Sequence, residues 1–137
     1  MAKTFTAPFA QTPKTATAVV TAASVVTTDN PTNTVELLTA GTEGSILTSL
    51  TAMPRSTVTA SSLVLFISKD SGTTKRLIDS ELMAAYTLAA TTAIPDTQFQ
   101  NYSEGTPLRL AAGDKLYVGS QVALAAGIVF KAEYTDF

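Results

Sequence analysis

Apolar and polar residues alternate along the chain in short runs bounded by turn residues, and one run breaks the alternation. Leu63, Val64, Leu65, Phe66 and Ile67 are five apolar residues in succession. So short a run, rich in branched and aromatic side chains, predicts a strand buried on both faces. Lys69-Asp70-Ser71-Gly72-Thr73 follows and supplies Asp, Ser and Gly where the chain must reverse. A central hairpin over residues 61–82 is therefore expected. On its return strand, residues 74–82, Ile78, Ser80 and Leu82 share one face while Leu77, Asp79 and Glu81 share the other. A helix is disfavoured, because Ser61-Ser62 and Gly72 leave less than the ten or so residues it needs.

The same reading gives the remaining elements. Residues 15–28, dense in Val and Thr, predict a first strand, and Asp29-Asn30-Pro31-Thr32-Asn33 its exit turn. Residues 34–40 predict a second strand, ended by Gly41-Thr42-Glu43-Gly44, with residues 45–53 as its hairpin partner. In that partner Ile46, Thr48, Leu50 and Ala52 alternate with Leu47, Ser49, Thr51 and Met53. Residues 83–90 mix helix and strand formers and are assigned to a strand. Residues 94–107 form a long connection whose Phe99 and Tyr102 cover one end of the core, with a short strand at 108–110. Strands at 115–122 and from Ile128 close the chain, the last with Ile128, Phe130, Ala132 and Tyr134 inward. Short strands, turn signals at intervals of about ten residues and no convincing helix predict an all-β fold, an antiparallel β-sandwich or jelly roll, without specifying the topology within that class. The domain spans residues 15–137. Residues 1–14 read as an extended N-terminal arm, because Pro8 and Pro13 interrupt regular pairing. Phe5, Pro8, Phe9 and Pro13 are its candidate partner-binding residues, since two phenylalanines in an extended arm could occupy successive pockets on a neighbour.

Composition changes the picture in one direction. Apolar residues make up 45% of the 137 residues and charged residues 15%, against about 25% in an average globular chain. So lightly charged a surface favours contact with other proteins. A net charge of -2 with nine scattered basic residues argues against a nucleic-acid partner. There is no apolar stretch long enough for a membrane span and no recognisable export signal.

Candidate chemistry is sparse. His and Cys are absent, which removes the Ser-His and Cys-His nucleophile systems and the common transition-metal sites. Asp79 and Glu81 are near enough in sequence for a glycosidase pair, but a solvated strand face explains them more simply. Ser71-Gly72-Thr73-Thr74-Lys75 lacks phosphate-loop spacing, and residues 29–33 lack the Gly and closing Glu of an EF-hand. Asn101-Tyr102-Ser103 matches a glycosylation sequon that carries little weight without an export signal. Tyr86, Tyr102, Tyr117 and Tyr134 are spread apart and suit core or rim packing better than a sugar platform. No enzyme activity and no cofactor are expected.

Several stretches together resemble small β-sandwich virion proteins of tailed bacteriophages, the head decoration or cement proteins. They are Gln11-Thr12-Pro13-Lys14, Thr39-Ala40-Gly41-Thr42-Glu43-Gly44-Ser45-Ile46, Leu63 to Ile67 with its Ser/Gly turn, and Leu110-Ala111-Ala112-Gly113-Asp114. The chain departs from that pattern at Glu43, where Asn is frequent, and at Asp114, where an aromatic is common. The resemblance implies a non-enzymatic protein, made in the host cytoplasm, that binds the major capsid protein on the outer face of the shell, as a homotrimer, and stabilises the particle. A tail or neck component, a carbohydrate-binding sandwich and a hydrolase using Asp79 and Glu81 are the alternatives.

Overall fold

A computed structural model describes residues 12–137. Among them are nine strands and no helix: β1 (Thr12–Val20), β2 (Val35–Thr39), β3 (Ser45–Pro54), β4 (Ser61–Ser68), β5 (Arg76–Met83), β6 (Thr97–Gln98), β7 (Leu108–Leu110), β8 (Lys115–Ser120) and β9 (Ile128–Asp136). Their pairings are nested. β4 pairs with β5, β3 with β6 and β7, β2 with β8, and β1 with β9, all antiparallel. The chain is thus one long double ribbon with the β4–β5 hairpin at its tip. Further pairs, β3 with β9 and β4 with β8, roll the ribbon into two sheets, ordered β1-β9-β3-β6, with β7 also on β3, and β2-β8-β4-β5. The two antiparallel sheets make the all-β sandwich that the strand pattern predicted, and the nesting, which the pattern did not give, is that of a jelly roll.

The core lies between the sheets. Leu47, Leu50 and Ala52 from β3 and Ile128, Phe130 and Ala132 from β9 meet Leu63 and Leu65 from β4 and Leu116 and Val118 from β8, all fully buried or nearly so. Phe99 closes one end with its ring 6.4 Å from that of Phe130, and Tyr102 lies beside it, so the long connection covers the core as expected. Each large side chain buried here contributes about 1.5–3 kcal/mol.

β4 is buried on both faces, and the second cover comes from an unexpected place. Leu63 and Leu65 enter the main core, whereas Val64 and Phe66, equally inaccessible, belong to the opposite face. The predicted first strand ends at Val20, and residues 21–34 cross the outside of the second sheet. Ser24 N donates to Ser120 O at 2.8 Å, Lys75 N donates to Asp29 O at 2.6 Å, and Asn33 Nδ2 donates to Ala23 O at 2.9 Å. Val and Thr suit an extended covering segment as well as a strand, so composition alone could not separate the two.

Three other expectations are corrected. β2 and β3 do not form a hairpin: they lie in different sheets, and residues 41–44 carry the chain between them. Gly44, at φ 88°, donates to Gly41 O at 3.0 Å, a tight turn that serves a sheet crossing as well as a hairpin. In β3 a bulge between Leu47 and Ser49 breaks the predicted alternation, so that Leu47 and Leu50 are both buried. Residues 84–90 form no strand; Tyr86 alone makes a bridge, exchanging hydrogen bonds of 2.9 and 3.0 Å with Val58.

Candidate docking site at the β5 edge

β5 closes one side of its sheet and, among the described residues, pairs only with β4. Its register sets Asp79 opposite Leu65, Glu81 opposite Leu63 and Met83 opposite Ser61, so the carboxylates share the inward side with Met83, which is buried. Ser80 opposite Val64 and Leu82 opposite Ser62 lie on the outer side, and a bulge brings Leu77 opposite Phe66 there too. Leu77, Ile78 and Leu82 are 44%, 39% and 69% exposed. The strand is therefore turned the other way from a normal amphipathic one: its leucines face solvent and its acids face the rim of the sandwich. Periodicity separated Leu82 from Asp79 and Glu81 but placed Leu77 with the acids, which the bulge overturns, and it did not say which set points inward. The choice is made by pairing with β4 and by partners waiting at the rim.

Asp79 meets those partners. Its Oδ1 accepts from Ser80 N at 2.8 Å and from Asn101 Nδ2 at 3.2 Å. Burial, and then the charge of Asp79, push the Tyr102 phenol well above its ordinary range. Asp79 is thus tied to the 94–107 connection. Glu81 instead lines an open pocket of about 260 Å³ with Pro54, Leu82, Pro95, Asp96 and Gln98. The pair weighed for glycosidase chemistry is divided between two environments, one carboxylate in a structural network and the other in a pocket wall.

The remaining candidates resolve into structural roles. Pro13 is exposed in β1 opposite Thr135, and Lys14 pairs there with Asp136 at 2.7 Å, so β1 takes in the last three residues assigned to the arm. Phe5, Pro8 and Phe9 lie outside the described residues. Asp29 faces Arg76 at 3.3 Å. Ser71 and Gly72 take positive φ in the β4–β5 turn, where Asp70 Oδ1 accepts from Thr74 N at 2.8 Å and from Ser68 Oγ at 3.0 Å. Those bonds hold the Asp70 carboxyl below its ordinary value. Asn101, the sequon residue, donates its amide to Asp79. Among the described residues no acidic cluster could hold a metal ion.

No family model matches the chain, nor does any curated protein or solved structure.

Proposed function

We propose that this chain is a structural protein of a virion, a capsid decoration or cement protein that binds the outer face of the major capsid protein shell and stabilises it. The observation that carries the reading is the outward row of Leu77, Ile78 and Leu82 on a strand that among the described residues is an edge, in a chain only 15% charged. Affinity at such a site comes from apolar area, and a trimer that engages several equivalent sites on a shell gains avidity from modest contacts. The test has two parts. Mass spectrometry of purified particles should find this chain in heads, and adding the protein to heads that lack it should raise their melting temperature. Leu82→Ser should fold normally and bind heads more weakly. Absence from particles, or unchanged binding by Leu82→Ser, would overturn the reading, and recovery from tails alone would move it to a tail component.

The pocket favours a second reading, a carbohydrate-binding module. Glu81, Asp96 and Gln98 place acceptors and donors around a cleft beside Leu82 and Pro95, groups that suit sugar hydroxyls and a sugar's apolar face. Binding on a glycan array, abolished by Glu81→Gln, would favour it.

A further inference from the structure

The outer face of the β1-β9-β3-β6 sheet carries a pattern that reads nearly the same from either end. Register across β1, β9 and β3 sets four rows of outward side chains: Val19, Val129 and Met53; Thr17, Lys131 and Thr51; Thr15, Glu133 and Ser49; Pro13, Thr135 and Ile46. Within β1, β9 and β3 the end rows carry the apolar groups, with Val19 38% and Met53 41% exposed, and beyond β3 the Ile46 row continues into exposed Arg109 on β7 and the Thr51 row into Gln98 on β6. The middle rows carry hydroxyls around one cation and one carboxylate. None of these side chains is buried, and among the described residues neither Lys131 nor Glu133 has an ion-pair partner.

We propose that this face docks a second copy of the same chain, sheet upon sheet, about a two-fold axis that lies between the sheets and crosses the strands at Ala132. Such an axis reverses the strand direction. It sets Lys131 over the second copy's Glu133 and Glu133 over its Lys131, and it lays the Val19-Val129-Met53 row on the second copy's Pro13-Thr135-Ile46 row. A two-fold along the strands would instead set Lys131 on Lys131 and Glu133 on Glu133, so the charges choose between the two arrangements. The hydroxyls of the middle rows meet hydroxyls, which can donate and accept in either direction. Three strands of about nine residues cover roughly 30 by 14 Å, a flat footprint near 400 Å² per copy. Specific interfaces take about 800 Å² per partner, so this contact belongs to the small, transient class and depends on concentration. It does not rest on the capsid reading. A three-fold assembly would close through another surface, and the two contacts are compatible.

Charge exchange tests the axis. Sedimentation velocity from about 10 to about 500 micromolar spans the range in which so small an interface assembles. Wild type should pass from monomer toward dimer over that range. Lys131→Glu and Glu133→Lys should each weaken dimerisation about tenfold or more, and the double exchange should restore it, because opposite charges then face again across the axis. Both side chains are exposed, so all four proteins should give the same circular dichroism and melting temperature. A wild type that stays monomeric throughout, a single exchange without effect, or a double exchange that does not restore association would each overturn the proposal.

Discussion

The two sheets of this sandwich share a core but differ on their outer faces. Outside the β2-β8-β4-β5 sheet, residues 21–34 run from β8, where Ser24 N donates to Ser120 O, to the end of the β4–β5 turn, where Lys75 N donates to Asp29 O, and Val64 and Phe66 on that face are fully buried. Outside the other sheet nothing among the described residues buries the rows through β9, and the side chains there are threonines, one Ser, one Lys, one Glu and a few apolar groups at the ends. The sequences record the difference. A strand covered on both sides reads as an unbroken apolar run, and a strand covered on one side alternates. Position 119 shows how closely the cover lies: a Cβ there would come 2.6 Å from Ser24 Oγ and 3.3 Å from Val64 Cγ2, so only glycine lets the connection approach.

The largest expected effect tests whether the covered face is a true second core. Phe66→Ala should cost about 3–5 kcal/mol in denaturant melts, as for a fully buried aromatic. A loss under about 1 kcal/mol would mean that the 21–34 cover contributes little packing. Gly119→Ala comes next. It should cost about 1–3 kcal/mol by lifting the connection off β8, and it should speed amide exchange at Ser24 without altering the β1-β9-β3 face.

The third comparison separates the arm from β1. Removing residues 2–11 leaves β1 whole, whereas removing residues 2–14 deletes Thr12, Pro13 and Lys14 from the β9 pairing. The longer deletion should melt about 3–6 °C below the shorter one, and the shorter should melt like the intact chain. The fourth concerns Asp136. Burial works to raise its carboxyl, but hydrogen bonds from Lys14 and Ser45 and the charge of Lys14 outweigh burial and hold it below its ordinary value of 3.8. A depressed carboxylate adds stability above the unfolded-state value and loses it as pH falls through the folded one. Wild type should therefore exceed Asp136→Asn by about 1 kcal/mol or less at pH 7, and the two should converge below about pH 3.8. Convergence near neutral pH would remove the ionised Asp136 from that explanation. The smallest effect belongs to the exposed strip: Leu82→Ser should shift stability by no more than about 0.5 kcal/mol, so any loss of particle binding reads the surface and not the fold.

Strand existence was the legible part. The five-residue apolar run gave β4, the Asp-Ser-Gly turn gave its hairpin with β5, and the alternation from Ile128 gave β9, each because a local pattern carries the information. Candidate sites were harder to read. Leu77, Ile78 and Leu82 were visible as apolar residues, yet nothing in their spacing marked them as exposed, since an apolar strand face usually points inward. A signal did exist in the mixed face of β5, where Asp79 and Glu81 would have had to find partners in order to turn toward the sandwich.

The sequence by itself determined the all-β class, most strand positions and the double burial of β4, because side-chain period and turn chemistry are properties of neighbouring residues. Tertiary structure alone decided which strands pair, which way β5 faces, that residues 21–34 roof one sheet, and that Pro13 and Ile46 stand at the opposite end of a face from Val19 and Met53. Those outcomes depend on register between strands far apart in the chain, and three bulges, at Leu37, Thr48 and Ile78, shift that register by a single residue without leaving a mark in composition.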